Sequence, residues 1–202
     1  MRNVGLGLLA AGSLLIACSI TAVPAQAGYI VTLTQQGSDV VATGTGAIDL
    51  TGLRFVANTT SFAGLNPSLA DISTGSTFGS ATSFFNGFTG PTSFGGGGTT
   101  FASSGSGDLV DLLAAGNQLY VPQGYVSGNP LSDTSTYNNQ TFASLGVTPG
   151  IYEWIWGTGP NQNFTLDIEA PGAAAVPEPS SLPLVAAAVA GFALACFRKL
   201  RP

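Results

Sequence analysis

The chain has no histidine and only two cysteines among its 202 residues. Without histidine there is no Ser-His-Asp or Cys-His nucleophile pair, and the usual zinc sites lose their commonest nitrogen ligand. The cysteines, Cys18 and Cys196, lie near the two ends, so everything between them is free of disulfides and thiolate ligands. Positive charge is equally scarce. From Gly28 to Ala175 the single base is Arg54, set against nine carboxylates (Asp39, Asp49, Asp71, Asp108, Asp111, Asp133, Glu153, Asp167 and Glu169), a formal charge of −8. Such a surface cannot neutralise phosphates, which excludes nucleic acid as a partner and disfavours anionic lipid headgroups. No cofactor motif and no metal-ligand spacing stands out.

Both ends are apolar. At the amino end Arg2 supplies a short positive region, Val4 to Ile20 is apolar and rich in small residues, and Ala25-Gln26-Ala27 offers a small-x-small cleavage site. Residues 1–27 therefore read as a signal peptide for the general secretion machinery. A second processing route is open, because Leu15-Ile16-Ala17-Cys18 fits the box that precedes an acylated lipoprotein cysteine. At the other end Val176-Pro177-Glu178-Pro179 is held extended by its two prolines, which fix φ and remove backbone donors. An uncharged run follows from Leu182 to Phe197, including Leu184, Val185, Val189, Phe192 and Leu194, and then Arg198, Lys199 and Arg201. As a helix the run spans roughly 24 Å against a hydrocarbon core of about 30 Å, short for a crossing but extended by basic residues that snorkel to the headgroups. The cytoplasmic bias of positive charge places the C-terminus inside and the body outside.

This order of parts over residues 176–202 resembles the PEP-CTERM sorting signal of Gram-negative bacteria, in which a Pro-Glu-Pro motif, a short transmembrane helix and a basic tail are read by a membrane-embedded exosortase. The resemblance implies a membrane-anchored precursor whose tail is removed or exchanged during export, with the body delivered to the cell surface or extracellular matrix. It also implies a link to exopolysaccharide and biofilm. The runs Phe101–Leu109, Val121–Gly128 and Thr141–Gly157 further resemble a recurring type of PEP-CTERM body that has no assigned activity.

Residues 28–175 form one exported body, long enough for a single domain with its own core. Tyr29–Gln35, Val40–Thr43, Ala47–Leu50 and Leu53–Val56 are short β-rich runs separated by glycine turns, so the fold class expected is all-β, a single antiparallel sandwich of jelly-roll type. Between Ser61 and Ser106 glycine, serine and threonine dominate. The interspersed Phe78, Phe84, Phe85, Phe88, Phe94 and Phe101 argue against a linker, since each ring gains roughly 1.5–3 kcal/mol on burial. Gly95–Gly98 reads as a mobile tip. Asp108–Gly116 has helical spacing at Leu109, Leu112 and Leu113, with Asp108 as cap and Gly116 as stop, though a strand fits equally well. Gln118–Val121, Gly124–Val126 and Gln140–Ala143 read as strand pieces. The last pattern is a hairpin: Ile151–Trp156 and Phe164–Ile168 flank a Gly-Thr-Gly-Pro turn, and alternation places Tyr152, Trp154 and Trp156 on one face.

Few groups can carry chemistry. Asp108 and Asp111 are the nearest carboxylates in sequence, and a secreted hydrolase would need two such groups about 5–9.5 Å apart. In a capped helix they serve only to cap and solvate. Gly105-Ser106-Gly107-Asp108 hints weakly at calcium but lacks the ligand spacing of an EF-hand loop. Tyr152, Trp154 and Trp156 could stack on sugars as a carbohydrate-binding module, or serve as core. Three Asn-x-Thr sites, at Asn58, Asn139 and Asn163, read as chance in so threonine-rich a chain. The expected body is non-enzymatic. Intact mass and N-terminal sequencing of the exported protein test its entry route: cleavage after Ala27 leaves Gly28 first, whereas a diacylated Cys18 would assign the lipoprotein route.

Overall fold

The computed structural model describes residues 28–170. The signal peptide, the Pro-Glu-Pro motif, the apolar run and the basic end lie outside the described residues. What is described is a sandwich of two β-sheets. Its strands are β1 (Tyr29–Gln36), β2 (Asp39–Ala47), β3 (Arg54–Ser61), β4 (Gly64–Asn66), β5 (Asp71–Thr74), β6 (Ser80–Asn86), β7 (Thr100–Phe101), β8 (Ser104–Gly107), β9 (Val110–Leu113), β10 (Gln118–Pro122), β11 (Pro130–Tyr137), β12 (Gly150–Ile155) and β13 (Asn163–Ile168). One sheet runs β12-β13-β1-β2-β11-β8 and the other β3-β6-β10-β9-β5-β4-β7. Every pairing is antiparallel except β1 with β13, which is parallel, a departure from the expected all-antiparallel sandwich.

Alternation sets the core. On β1 Tyr29, Val31 and Leu33 point inward, on β13 Phe164, Leu166 and Ile168 do so, and from the facing sheet Ile72, Val110, Leu112, Leu119 and Val121 meet them in one buried cluster. The centre of the first sheet departs from this apolar rule. Across strands, Val31 is in register with Gly44, Gly44 with Asp133, and Asp133 with Gly107. The two glycines leave space on either side of the carboxylate, and Tyr29 fills one of them by reaching over Gly44. A Cβ at Gly44 would collide with both the Tyr29 hydroxyl and Asp133 Oδ1. Tyr29 donates a short hydrogen bond to Asp133 Oδ2 and lies 3.3 Å from Thr74 Oγ1 of the other sheet. Ser135 adds a second polar tie between the sheets: its hydroxyl accepts from Gly75 N–H at 3.0 Å and donates to Gly75 O at 3.3 Å.

Several local expectations are corrected. Gly44 and Gly46 do not break a strand, because β2 runs through both to Ala47. Of the two readings open for Asp108–Gly116 the helix falls and the strand holds: Val110–Leu113 pairs with β5 and β10, which bury both Val110 and Leu112, and only Ala114–Gly116 turns as 3-10 helix. Gln140–Ala143 is not a strand either. Thr141 caps a one-turn helix, α1 (Phe142–Leu145), through a reciprocal bond with Ser144, so local capping outweighs the β tendency of its residues. Gly124–Val126 lies in a turn, where the Tyr125 hydroxyl donates to Asn129 O at 2.6 Å.

Gly95–Gly98 is no loose tip. Gly97 N–H donates to Gly146 O at 3.2 Å, and a Cβ at Gly97 would strike the Leu145 carbonyl, so the glycines permit backbone to lie on backbone. The phenylalanines divide: Phe88 and Phe94 are buried, Phe84 and Phe85 half-buried, and Phe78 and Phe101 exposed.

Burial pushes Asp133 up to about 6, while the Tyr29 and Thr74 hydrogen bonds pull the other way. In the unfolded chain the same carboxyl titrates near 4, so its contribution to stability is complete below about pH 4 and is lost as pH rises through about 6. Chemical denaturation across that window should show this group costing roughly 3 kcal/mol by pH 7. Asp133→Asn should remove that component and flatten the profile; an unchanged pH slope in the variant would place the loss elsewhere.

Candidate functional site

Polar chemistry on the described body gathers on the outer face of the β3–β7 sheet. Because Ile72 and Leu112 point into the core, alternation turns Asp71, Ser73 and Asp111 outward. The register draws one row across this face: Phe101 opposite Gly64, Gly64 opposite Ser73, Ser73 opposite Asp111, Asp111 opposite Tyr120 and Tyr120 opposite Phe84. Asp71 sits diagonally beside Asp111, in register with Leu113. Ser61, Phe62 and Thr99 join this end of the row in lining an open pocket of about 200 Å³. The Phe84 and Tyr120 rings stack at 5.3 Å on its other flank.

The hydrogen bonding in the cavity is incomplete. Ser61 Oγ donates to Asp111 Oδ2 at 2.5 Å, and Asp71 lies near enough for its charge to act on Asp111. Asp111 is 7% exposed and Ser73 3%, yet Asp111 Oδ1 and Ser73 Oγ have no partner. Burial holds Asp71 up at about 6. Asp111 is pushed well above the usual carboxylate range, first by burial and then by the charge of Asp71. Tyr120 is driven to about 12 by burial and the same two charges. Two carboxyls in this state share a proton when nothing else neutralises them. The same oxygens suit a hard cation or a hydroxyl donor. They do not suit glycoside hydrolysis, in which the two groups stand apart on either side of a bond.

The residues singled out in the sequence are placed differently. Asp108 does not accompany Asp111: its carboxylate accepts from Ser132 N–H at 3.2 Å, on the opposite sheet. The Gly105–Asp108 segment is spent on β8, where Gly105 and Gly107 pair with Ser135 and Asp133, so it forms no calcium loop. Among the described residues no three His, Cys, Asp or Glu side chains cluster as metal ligands.

Tyr152, Trp154 and Trp156 do share a face, but that face is interior. Trp154 is 0% exposed and Trp156 8%. Trp154 Nε1 donates to Pro91 O at 2.8 Å, Trp156 Nε1 donates to Asp49 O at 2.7 Å, and Trp154 meets Phe164 edge-on at 5.9 Å. Tyr152 is half-buried against Phe94. No ring of the stripe offers an open platform for sugar stacking. The site that sequence reasoning missed, Asp71 with Ser73 and Asp111, is joined across forty positions by strand register. Its only local trace is a carboxylate alternating with buried apolar residues in Asp71-Ile72-Ser73 and Val110-Asp111-Leu112.

Residues 175–199 match the family model described as the PEP-CTERM protein-sorting motif. The match includes Val176–Pro179, the apolar run, Arg198 and Lys199, and none of the sandwich. No curated protein and no solved structure matches the chain. Trp154→Ala should cost about 3–5 kcal/mol, measured by chemical denaturation of the full chain, because it empties a packed interior site. A variant that keeps wild-type stability would return this ring to the surface.

Proposed function

We propose that this chain, which carries a PEP-CTERM sorting motif, is an exported, non-catalytic component of the cell surface or extracellular matrix. An exosortase sorts it, after a signal peptide has directed it to the general secretion machinery. The matched motif at residues 175–199 is the observation that carries this reading. Pro177 and Pro179 keep the recognised segment extended, the Leu182–Phe197 run holds the precursor in the membrane, and Arg198, Lys199 and Arg201 retain the basic end on the cytoplasmic side. The working part outside is the β-sandwich. A link to exopolysaccharide or biofilm follows from what the sorting system's resemblance implies.

A scaffold or matrix role suits the body better than catalysis. The whole chain lacks histidine, and the two carboxyls that do approach each other, Asp71 and Asp111, lie side by side on adjacent strands with Asp111 buried. A secreted hydrolase would need an open cleft between separated acids. Glycan binding through Tyr152, Trp154 and Trp156 is disfavoured by the burial of both tryptophans.

The sorting reading is tested by intact mass and cell fractionation in cells with and without the processing enzyme. With it, the protein should lack the tail beyond the Pro-Glu-Pro segment and lie outside the cytoplasm. Without it, or in Glu178→Ala, the chain should keep its tail and fractionate with the membrane. A full-length, cytosolic protein in both backgrounds would overturn the proposal.

A further inference from the structure

We infer that the pocket between Asp71, Ser73 and Asp111 is a binding site for a calcium-type divalent cation. The donor set is entirely oxygen: two carboxylates and the Ser73 hydroxyl on the adjoining strands β5 and β9, and the Ser61 hydroxyl from the end of β3, around one cavity. Hard cations take such ligands, and calcium tolerates irregular geometry and completes its shell with water. The acidic pair alone would not identify a ligand. What does so is independent of the charge: Ser73 and Asp111 both line this cavity and are more than nine-tenths buried, and Ser73 Oγ and Asp111 Oδ1 have no hydrogen-bond partner. Native interiors rarely leave two such oxygens orphaned side by side.

Charge separates a cation from a sugar. Arg54, the one base of the body, stands at the opposite end of β3 from Ser61, the residue of that strand that reaches the pocket. Among the described residues no side-chain cation stands next to the pair, so a bound divalent ion would neutralise both carboxylates. The site needs only the folded sandwich; the affinity expected of it, about 10⁻⁴–10⁻³ M as in extracellular modules, rests on the exported location.

The test uses the full chain in detergent, freed of metal by chelation and titrated with Ca²⁺ alone at fixed pH. About 10 mM Ca²⁺ should raise the Tm by about 3–10 °C, and chelator should reverse the rise. Asp111→Asn and Asp71→Asn, near-isosteric neutral changes that the fold should accept, should abolish the shift, while Asp108→Asn should retain it. Tb³⁺ luminescence gives a second readout, since Tyr120 lies beside Asp111 and can sensitise a bound ion; emission should rise with Tb³⁺ and fall on adding Ca²⁺ in the wild type but not in Asp111→Asn. The inference is overturned by a wild-type protein that does not respond to calcium, by a shift that survives Asp111→Asn, or by a soluble glycan that stabilises the wild type but not Asp71→Asn in the absence of metal.

Discussion

The structure depends on how a body with one arginine buries carboxylates. Taking an ionised carboxylate out of water is expensive unless it is paired, and here no lysine or arginine stands beside any of the buried ones. Asp133 and Asp111 accept hydrogen bonds from hydroxyls, and burial raises the pKa of Asp133, Asp71 and Asp111 alike. Tyr29 illustrates the consequence. Its hydroxyl is held well above its usual pKa, first by burial and then by the Asp133 charge, so it remains a donor at every physiological pH. One tyrosine on the first described strand thus sets both the polar centre of its own sheet and the approach of Thr74 from the other.

Glycine makes that solution possible. Where Gly44 and Gly107 flank Asp133, the missing side chains let a long tyrosine cross one strand and let β8 lie close against β11. Elsewhere the same property brings Gly97 onto the Leu145–Gly146 backbone and stitches the Phe94 loop to the turn after α1. The stretches that read as flexible in composition are therefore points where main chains meet. With no disulfide to constrain the body, close backbone contact and the interior aromatics Trp154, Phe164 and Phe94 hold the loops that cysteine bridges secure in many small secreted domains.

The fold class was legible because period-two alternation is a local signal, and β1, β12 and β13 lie where that alternation put them. Failures came where neighbours outside the window decide the outcome. Asp108–Gly116 carries helical spacing, yet an extended Val110–Leu113 buries two side chains and completes a ladder on both edges, so tertiary pairing prevails over propensity. Phe142 and Ala143 went the other way, with the Thr141–Ser144 cap winning. The aromatic stripe was assigned to the right face, but only the sandwich shows that this face is interior. The Asp71–Asp111 pocket was out of reach because three strands intervene in sequence between β5 and β9, and its contacts exist only once register has set them together. The sorting tail was readable because its information is linear: extended motif, oily run and basic end are recognised in order along the chain.

The parallel pairing of β1 with β13 orients the body relative to that tail. Tyr29 faces Phe164 at one end of the pair and Leu33 faces Ile168 at the other, with Glu169 N–H donating to Leu33 O at 3.1 Å. The chain therefore leaves toward its C-terminal signal from the end of the sheet opposite the one where it enters at Gly28. Gly28 itself is fixed, its N–H donating to Asn163 Oδ1 at 3.0 Å, while Asn163 Nδ2 donates to Glu153 Oε1 at 2.9 Å. The β1–β13 pair joins the first described strand to the last, so β12 and β13 attach to the six-stranded sheet only through β1.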